Sequence, residues 1–202
     1  MQLYKTPLEG VMVLIPEKIE DERGYFQETF NNHNYIEILE KLNDPFVQDN
    51  ESCSKKGVIR GMHWQIPPMD QSKLVRCLQG KIIDIVVDIR HGSPTFREYC
   101  YIELTPENNC QVFIPKGFAH GFISLEDNSI LSYKVDNYYS KEHERSFNIF
   151  SLNIKDIVDE DMTFILSKKD NEAPEFNKLN LEDIFIFKNK EENNGETGSN
   201  YS

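Results

Sequence analysis

Three side chains capable of acid–base chemistry stand inside runs that otherwise read as buried β-strand: His63 in GVIRGMHWQ, Lys73 in KLVRCL and Tyr133 in ILSYKV. Singly, each has an ordinary explanation. A histidine on an apolar strand is more often a hydrogen-bonded core residue than a catalyst, and a tyrosine ring packs well with its hydroxyl satisfied nearby. The lysine is harder to dismiss, because a buried unpaired ammonium is costly and a fold retains it only with a partner or a task. Taken together, the three suit proton abstraction beside a carbonyl. An imidazole that titrates near neutral pH takes the proton, an ammonium stabilises the enolate oxygen, and a phenol returns a proton from the other side. Delivery to the opposite face inverts the carbon, which is an epimerisation.

Positioning those groups requires strands. From Val58 to about Val135 the chain runs through GVIRGMHWQ, KLVRCL, KIIDIVVDIR, EYCYIEL, CQVFIP, HGFISL and ILSYKV, separated by QG, HGSP, TPENN and EDNS turn signals. Short strands in succession without helices between them predict an antiparallel sandwich or barrel. Alternate residues of a strand share a face, so Lys73 goes with Val75 and Cys77, and Tyr133 with Leu131 and Val135. If the apolar parity marks the interior, the amine and the phenol point inward. Strict alternation in GVIRGMHWQ puts His63 with Ile59 but Arg60 with Met62 and Trp64, so both polar residues reach one pocket only if Gly61 marks a bulge.

The 202 residues suffice for one domain with a proper core, expected over 1–188. Upstream of the strand-rich stretch lie short β-like pieces (VMVLIP, YFQETF) and NYIEILEKLN, which has the apolar spacing of a short helix; downstream of it, LNIKDIVDEDM has weaker helical spacing. Residues 189–202 are polar and Gly- and Asn-rich, the composition of a disordered tail. A formal net charge of -12 argues against nucleic acid or an anionic membrane surface as partner. An anionic ligand must therefore meet a local cluster of cations. Cys53, Cys77, Cys100 and Cys110 form no C-x-x-C pair, and MQLYKTPLEG has neither a basic nor an apolar leader segment, so a cytoplasmic protein with reduced thiols is expected.

IPKGFAHGF, at 114–122, fits a P-x-G-x-x-H pattern found in cupin barrels, where the histidine is often a metal ligand. Metal-binding cupins pair it with an earlier H-x-H; the corresponding place here reads H-W-Q. His33, His91 and His143 lie in unrelated polar contexts, and no metal is expected.

Several long motifs in order, QDNESCSKKGVIRGMHWQ, QSKLVRCLQGKIIDIVVDIRHGSPTF, IPKGFAHGF and SYKVDNYYSKEHE, with DERGYF early and LSKKDNEAP late, closely resemble the dTDP-4-dehydrorhamnose 3,5-epimerase family over about residues 1–176. The resemblance implies a mainly β fold, a cupin-like antiparallel jelly-roll barrel with a few short helices, working as a homodimer without a cofactor. It implies His63 as the base beside the keto group, Asp170 as its orienting partner, Lys73 on the enolate oxygen and Tyr133 as the acid on the other face. Arg60 and His120 would line the sugar and phosphate region; Gln48, Asp49, Asn50, Tyr139, Glu144 and Lys169 would complete the binding shell. Arg23, Phe26 and Glu28 would meet the nucleotide base, offered across the dimer. The implied substrate is a nucleotide-diphosphate 4-keto sugar, and Arg23, Arg60 and Lys169 would supply the local positive charge for its diphosphate.

Two departures matter. The family's W-N-D-P-like stretch and later Trp-Pro pair are replaced by RSFNIFSLNIKDIVDEDMTF, consistent with a different sugar or with a repacked wall; Met62 and Trp64 stand where Leu and Tyr or Phe are common. The alternatives within the family are epimerisation at carbon 3 alone or action on another 4-keto sugar, including a GDP-linked heptose. A 3,4-ketoisomerase fits less well. Other classes are a metal-dependent cupin oxygenase and a non-catalytic sugar-binding module.

Overall fold

The computed structural model describes residues 1–35, 44–159 and 161–187. Apolar alternation and turn residues divide the chain into short strands, most of which join two antiparallel sheets. One has the order β1 (Gln2–Lys5), β2 (Met12–Ile15), β11 (Gln111–Ile114), β7 (Lys73–Gln79), β13 (Ser129–Val135), β5 (Gln48–Ser54). The other has the order β10 (Tyr99–Leu104), β8 (Ile82–Asp88), β12 (Phe118–Ser124), β6 (Ile59–Gln65), β14 (Glu144–Ser146). A hairpin of β3 (Lys18–Asp21) and β4 (Gly24–Gln27) and a parallel pair of β9 (Arg90–His91) with β15 (Phe185–Ile186) stand apart from them. This is the antiparallel two-sheet barrel predicted by the strand spacing.

Alternation distributes the core into layers. Between the sheets lie Val75 and Cys77 of β7, Leu131 of β13, Ile82 and Val86 of β8, and Phe118 and Phe122 of β12. Residues of the opposite parity, Ile83, Ile85 and Val87 of β8 with Ala119 and Ile123 of β12, pack outward under a cover of later segments. β8 is consequently buried along its whole length, which explains why KIIDIVVDIR shows no polar face. A third cluster, Met12, Leu14, Tyr35, Leu74 and Phe113, backs the larger sheet.

LNIKDIVDEDM does not form the expected α-helix. Its described residues hold one 3₁₀ turn, Ile154–Asp156, with Leu152 and Ile154 buried in the outer core and Ile157, Val158 and Met162 packed against it. Residues 36–43 of the helix expected in NYIEILEKLN, and the tail at 189–202, lie outside the described residues. Among the described residues no helix is long and apolar enough to cross a membrane.

Candidate active site

The question of how β6 aims two polar side chains inward is answered at Gly61. β6 and β12 pair as His63 with His120 and as Arg60 with Phe122, so β6 spends one residue more than its partner between these points. The surplus inverts the parity: Ile59, Met62 and Trp64 all pack in the outer cluster, whereas Arg60, His63 and Gln65 line the cavity within the barrel. Only glycine suits the position. Its φ is +123°, and a Cβ there would stand 2.5 Å from Gly121 Cα.

Parity also delivers the other groups. Lys73 on β7, His120 on β12 and Tyr133 on β13 point into the same lumen beside His63, around a cavity of about 850 Å³. Lys73 is only 8 % exposed, and its Nζ donates to the His63 carbonyl at 3.3 Å. Burial pulls its amine down to about 8, against the opposing pull of the Asp84 and Glu144 charges. Burial pushes the Tyr133 phenol up, with the Arg60 charge partly offsetting it. His120 Nε2 lies 2.7 Å from Asp84 Oδ1, both residues being buried. Burial lowers the pKa of His120, Asp84 opposes the shift, and the Lys73 charge reinforces it.

Asp84 is the functional candidate that strand reading passed over. Its signal is present in KIIDIVVDIR: it has the interior parity of Ile82 and Val86, so a carboxylate must stand in the lumen. Its second oxygen, Oδ2, has no hydrogen-bond partner among the described residues.

The partner of His63 arrives from 107 residues along the chain. Ser167 caps the one-turn helix Lys168–Asn171, its hydroxyl accepting from the Asp170 N–H at 3.1 Å. That turn sends Asp170 inward, where Oδ1 lies 2.5 Å from His63 Nε2. Burial raises the Asp170 carboxyl, but its bond to His63 and the Ser167 cap outweigh that and leave it below the ordinary range. Lys169, the preceding residue, reaches Glu144 Oε2 at 2.6 Å, and the same oxygen accepts from the Tyr139 hydroxyl at 2.9 Å. Burial raises the Glu144 carboxyl and these two partners more than reverse the effect.

Asp49, Asn50, Arg60, Tyr139, Glu144 and Lys169 also line the cavity. Arg60 Nε donates to Ser54 Oγ at 3.2 Å. Gln48 stands behind it, donating to Asn50 Oδ1 and accepting from the Tyr139 backbone N–H. Arg23, Phe26 and Glu28 are not brought to this cavity. Arg23 pairs with Asp21, Glu28 accepts from Asn31 and Asn34, and Phe26 is 69 % exposed. The expected cation cluster is therefore Arg60 and Lys169 within one chain, with Arg23 apart. Among the described residues no three His, Cys, Asp or Glu side chains converge as a metal would require. All four cysteines are unpaired.

None of the described residues of the departing segment lines the cavity, although Arg145 and Ser146 at its start belong to β14, which pairs with β6. Phe147, Ile149, Leu152 and Ile154 fill the outer core, and Asn148, Phe150, Ser151 and Asn153 line a separate hollow of about 820 Å³. Its divergence is a repacking behind the site. Met62 and Trp64 belong to the same outer core.

Fold and site define a class: a cupin-like jelly roll whose lumen gathers a His–Asp pair, an ammonium and a phenol. The family model described as dTDP-4-dehydrorhamnose 3,5-epimerase matches residues 5–178. A dTDP-4-dehydrorhamnose 3,5-epimerase of Shigella flexneri is 46% identical over 145 residues, covering 72% of this chain and 80% of the relative. That of Sinorhizobium fredii is 40% identical over 180 residues, covering 89% and 91%. Among solved structures, dTDP-6-deoxy-D-glucose-3,5-epimerase from Legionella pneumophila in complex with dTDP-4-keto-L-rhamnose superposes with a TM-score of 0.84 at 38% identity, covering 93% of this chain and 99% of that one. A 3'-monoepimerase from Streptomyces bikiniensis in complex with dTDP-quinovose gives 0.76 at 31% identity, covering 84% and 85%. The chain belongs to the dTDP-4-dehydrorhamnose 3,5-epimerase family.

Proposed function

We propose that this protein inverts carbons 3 and 5 of dTDP-4-dehydro-6-deoxy-D-glucose, yielding dTDP-4-dehydro-L-rhamnose. The observation that carries the reading is the convergence of His63, Asp170, Lys73 and Tyr133 on one cavity in a chain of this family. Carbons 3 and 5 both flank the keto carbon, so one enolate-stabilising arrangement serves both. His63 removes the proton, and Asp170 stabilises the imidazolium that results. Lys73 balances the negative charge arriving on the keto oxygen. Tyr133 returns a proton from the opposite face. One proton leaves and one enters at each carbon, with no net redox change, so the chemistry asks for no redox cofactor.

Arg60 and Lys169 face the diphosphate, with Gln48, Asp49, Asn50, His120, Tyr139 and Glu144 around the remainder of the substrate. Arg23, Phe26 and Glu28 lie outside the chain's own cavity and serve the nucleotide base of a second copy in a homodimer. The exposed Ile19, Tyr25 and Phe26 of the β3–β4 hairpin support such an interface. Residues 1–188 act as one catalytic unit. Unpaired thiols and a nucleotide-sugar substrate favour the cytoplasm.

The test is the configuration of the product. Incubation with dTDP-4-dehydro-6-deoxy-D-glucose, read by proton coupling constants, is expected to show inversion at both carbons. Inversion at carbon 3 alone would reassign the protein to the monoepimerases, and an unchanged sugar would contradict the reading.

A further inference from the structure

We infer that Asp183, on the C-terminal strap formed by residues 179–187, is a positioning residue for the cavity wall made by β6 and β14. The strap lies beyond the residues that the family model matches. It is anchored at its far end, where the Phe185 N–H donates to the Ile89 carbonyl at 3.2 Å and the Phe187 N–H to the His91 carbonyl at 2.9 Å. Leu179, Ile184 and Phe185 pack on the outer core.

Between these anchors Asp183 takes two bonds from the back of the site. Its carbonyl accepts the Trp64 indole N–H at 2.7 Å, and its Oδ1 accepts Arg145 Nε at 2.6 Å. Trp64 and Arg145 are directly opposed in the β6–β14 ladder. Their chain neighbours are His63 and Gln65 on β6 and Glu144 on β14, whose side chains line the cavity. One residue on the strap thus grips both strands of the wall from outside.

The grip matters most for β14. It is three residues long and forms the edge of its sheet, so among the described residues β6 alone supports it by pairing. Arg145, once held by Asp183, donates through Nη1 to the carbonyls of Glu142 and Glu144 at 2.9 and 3.1 Å. The chain of contacts therefore runs from Asp183 through Arg145 to the backbone of Glu144, whose carboxylate holds Lys169 and Tyr139 at the cavity. Small displacements of such groups are enough to change turnover or binding substantially.

The inference rests on the proposed function, and its test separates the two. Steady-state kinetics are measured on the full chain for wild type, Asp183→Ala, Asp183→Glu, Glu144→Gln and the Asp183→Ala/Glu144→Gln pair. Asp183→Ala is expected to raise KM about fivefold or more. It should change kcat less than KM, because the acid–base groups keep their own supports while the wall that meets the substrate loosens. Asp183→Glu, which keeps a carboxylate within reach of Arg145, should bring KM most of the way back. In the Glu144→Gln background the Asp183→Ala change should add little, since the two act in one chain. Should Asp183→Ala not fold, Asp183→Asn, which keeps the shape and loses the charge, carries the same expectations in smaller measure. A lowered Tm with unchanged KM, or losses that simply add in the double variant, would make the strap structural only. A wild type that leaves the sugar unchanged would instead overturn the functional reading beneath it.

Discussion

His63 Nε2 and Asp170 Oδ1 stand 2.5 Å apart, the carboxylate shut away from solvent and the ring at the edge of the cavity. An N–H donated from Nε2 leaves Nδ1 as the basic nitrogen, and the buried negative charge stabilises the imidazolium formed when that nitrogen takes a proton.

Replacing Asp170 with Asn removes this stabilisation while preserving shape. Asp170→Asn is expected to lower kcat by about 10²-fold or more with little change in KM. Because the folded-state carboxyl lies below its ordinary range, its contribution to stability is present above the unfolded carboxylate pKa and is lost as pH falls through the folded one. The variant should therefore lose less stability than wild type on acidification. Wild-type turnover, or an identical acid-denaturation profile, would break the pairing.

Lys73 is held at a cost. Burial brings its amine from 10.5 down to about 8. A lysine with a lowered folded pKa destabilises the fold fully below that value, and the penalty fades as pH rises from about 8 towards 10.5, where the unfolded chain still binds the proton. The gap corresponds to on the order of 3 kcal/mol. Lys73→Met is expected to abolish inversion and to raise Tm by several degrees at neutral pH, with the gain shrinking above pH 8. A lower Tm would show that the ammonium is fully compensated.

Asp84 bears on the same amine. Its charge opposes the effect of burial on Lys73 and on His120. Asp84→Asn should therefore move the basic limb of kcat/KM to lower pH, as Lys73 loses its proton more readily. A pH–rate profile superposable on wild type would confine Asp84 to packing.

Tyr133→Phe separates the two halves of the reaction. Proton removal by His63 should continue while delivery from the opposite face slows, so solvent deuterium should enter the recovered substrate faster than product appears. Equal losses in both would mean that the phenol acts in the first step or only supports the wall.

Much of the site was legible because strand parity is a strict rule. Lys73 and Tyr133 could be placed in the lumen from their neighbours alone, and Gly61 was the one point where β6 could invert its parity. Asp84 followed the same rule, but its strand is covered on both faces, so the alternation that would have exposed it was masked by apolar residues on either side. Asp170 had no local signal. Its meeting with His63 depends on a one-turn helix far along the chain, and only the likeness of LSKKD to the family motif pointed there. The strap was equally silent in the sequence, since Phe185 and Ile186 make too short a strand to show a period. LNIKDIVDEDM misled because its spaced isoleucines serve a 3₁₀ turn against the outer core.

The role of His63 as the base is tested by proton NMR of dTDP-4-dehydro-6-deoxy-D-glucose in deuterium oxide with wild type and His63→Ala. Exchange at carbons 3 and 5 is expected with wild type and none with His63→Ala, which should still bind dTDP. Exchange that survives in His63→Ala, or none with wild type, would contradict that role.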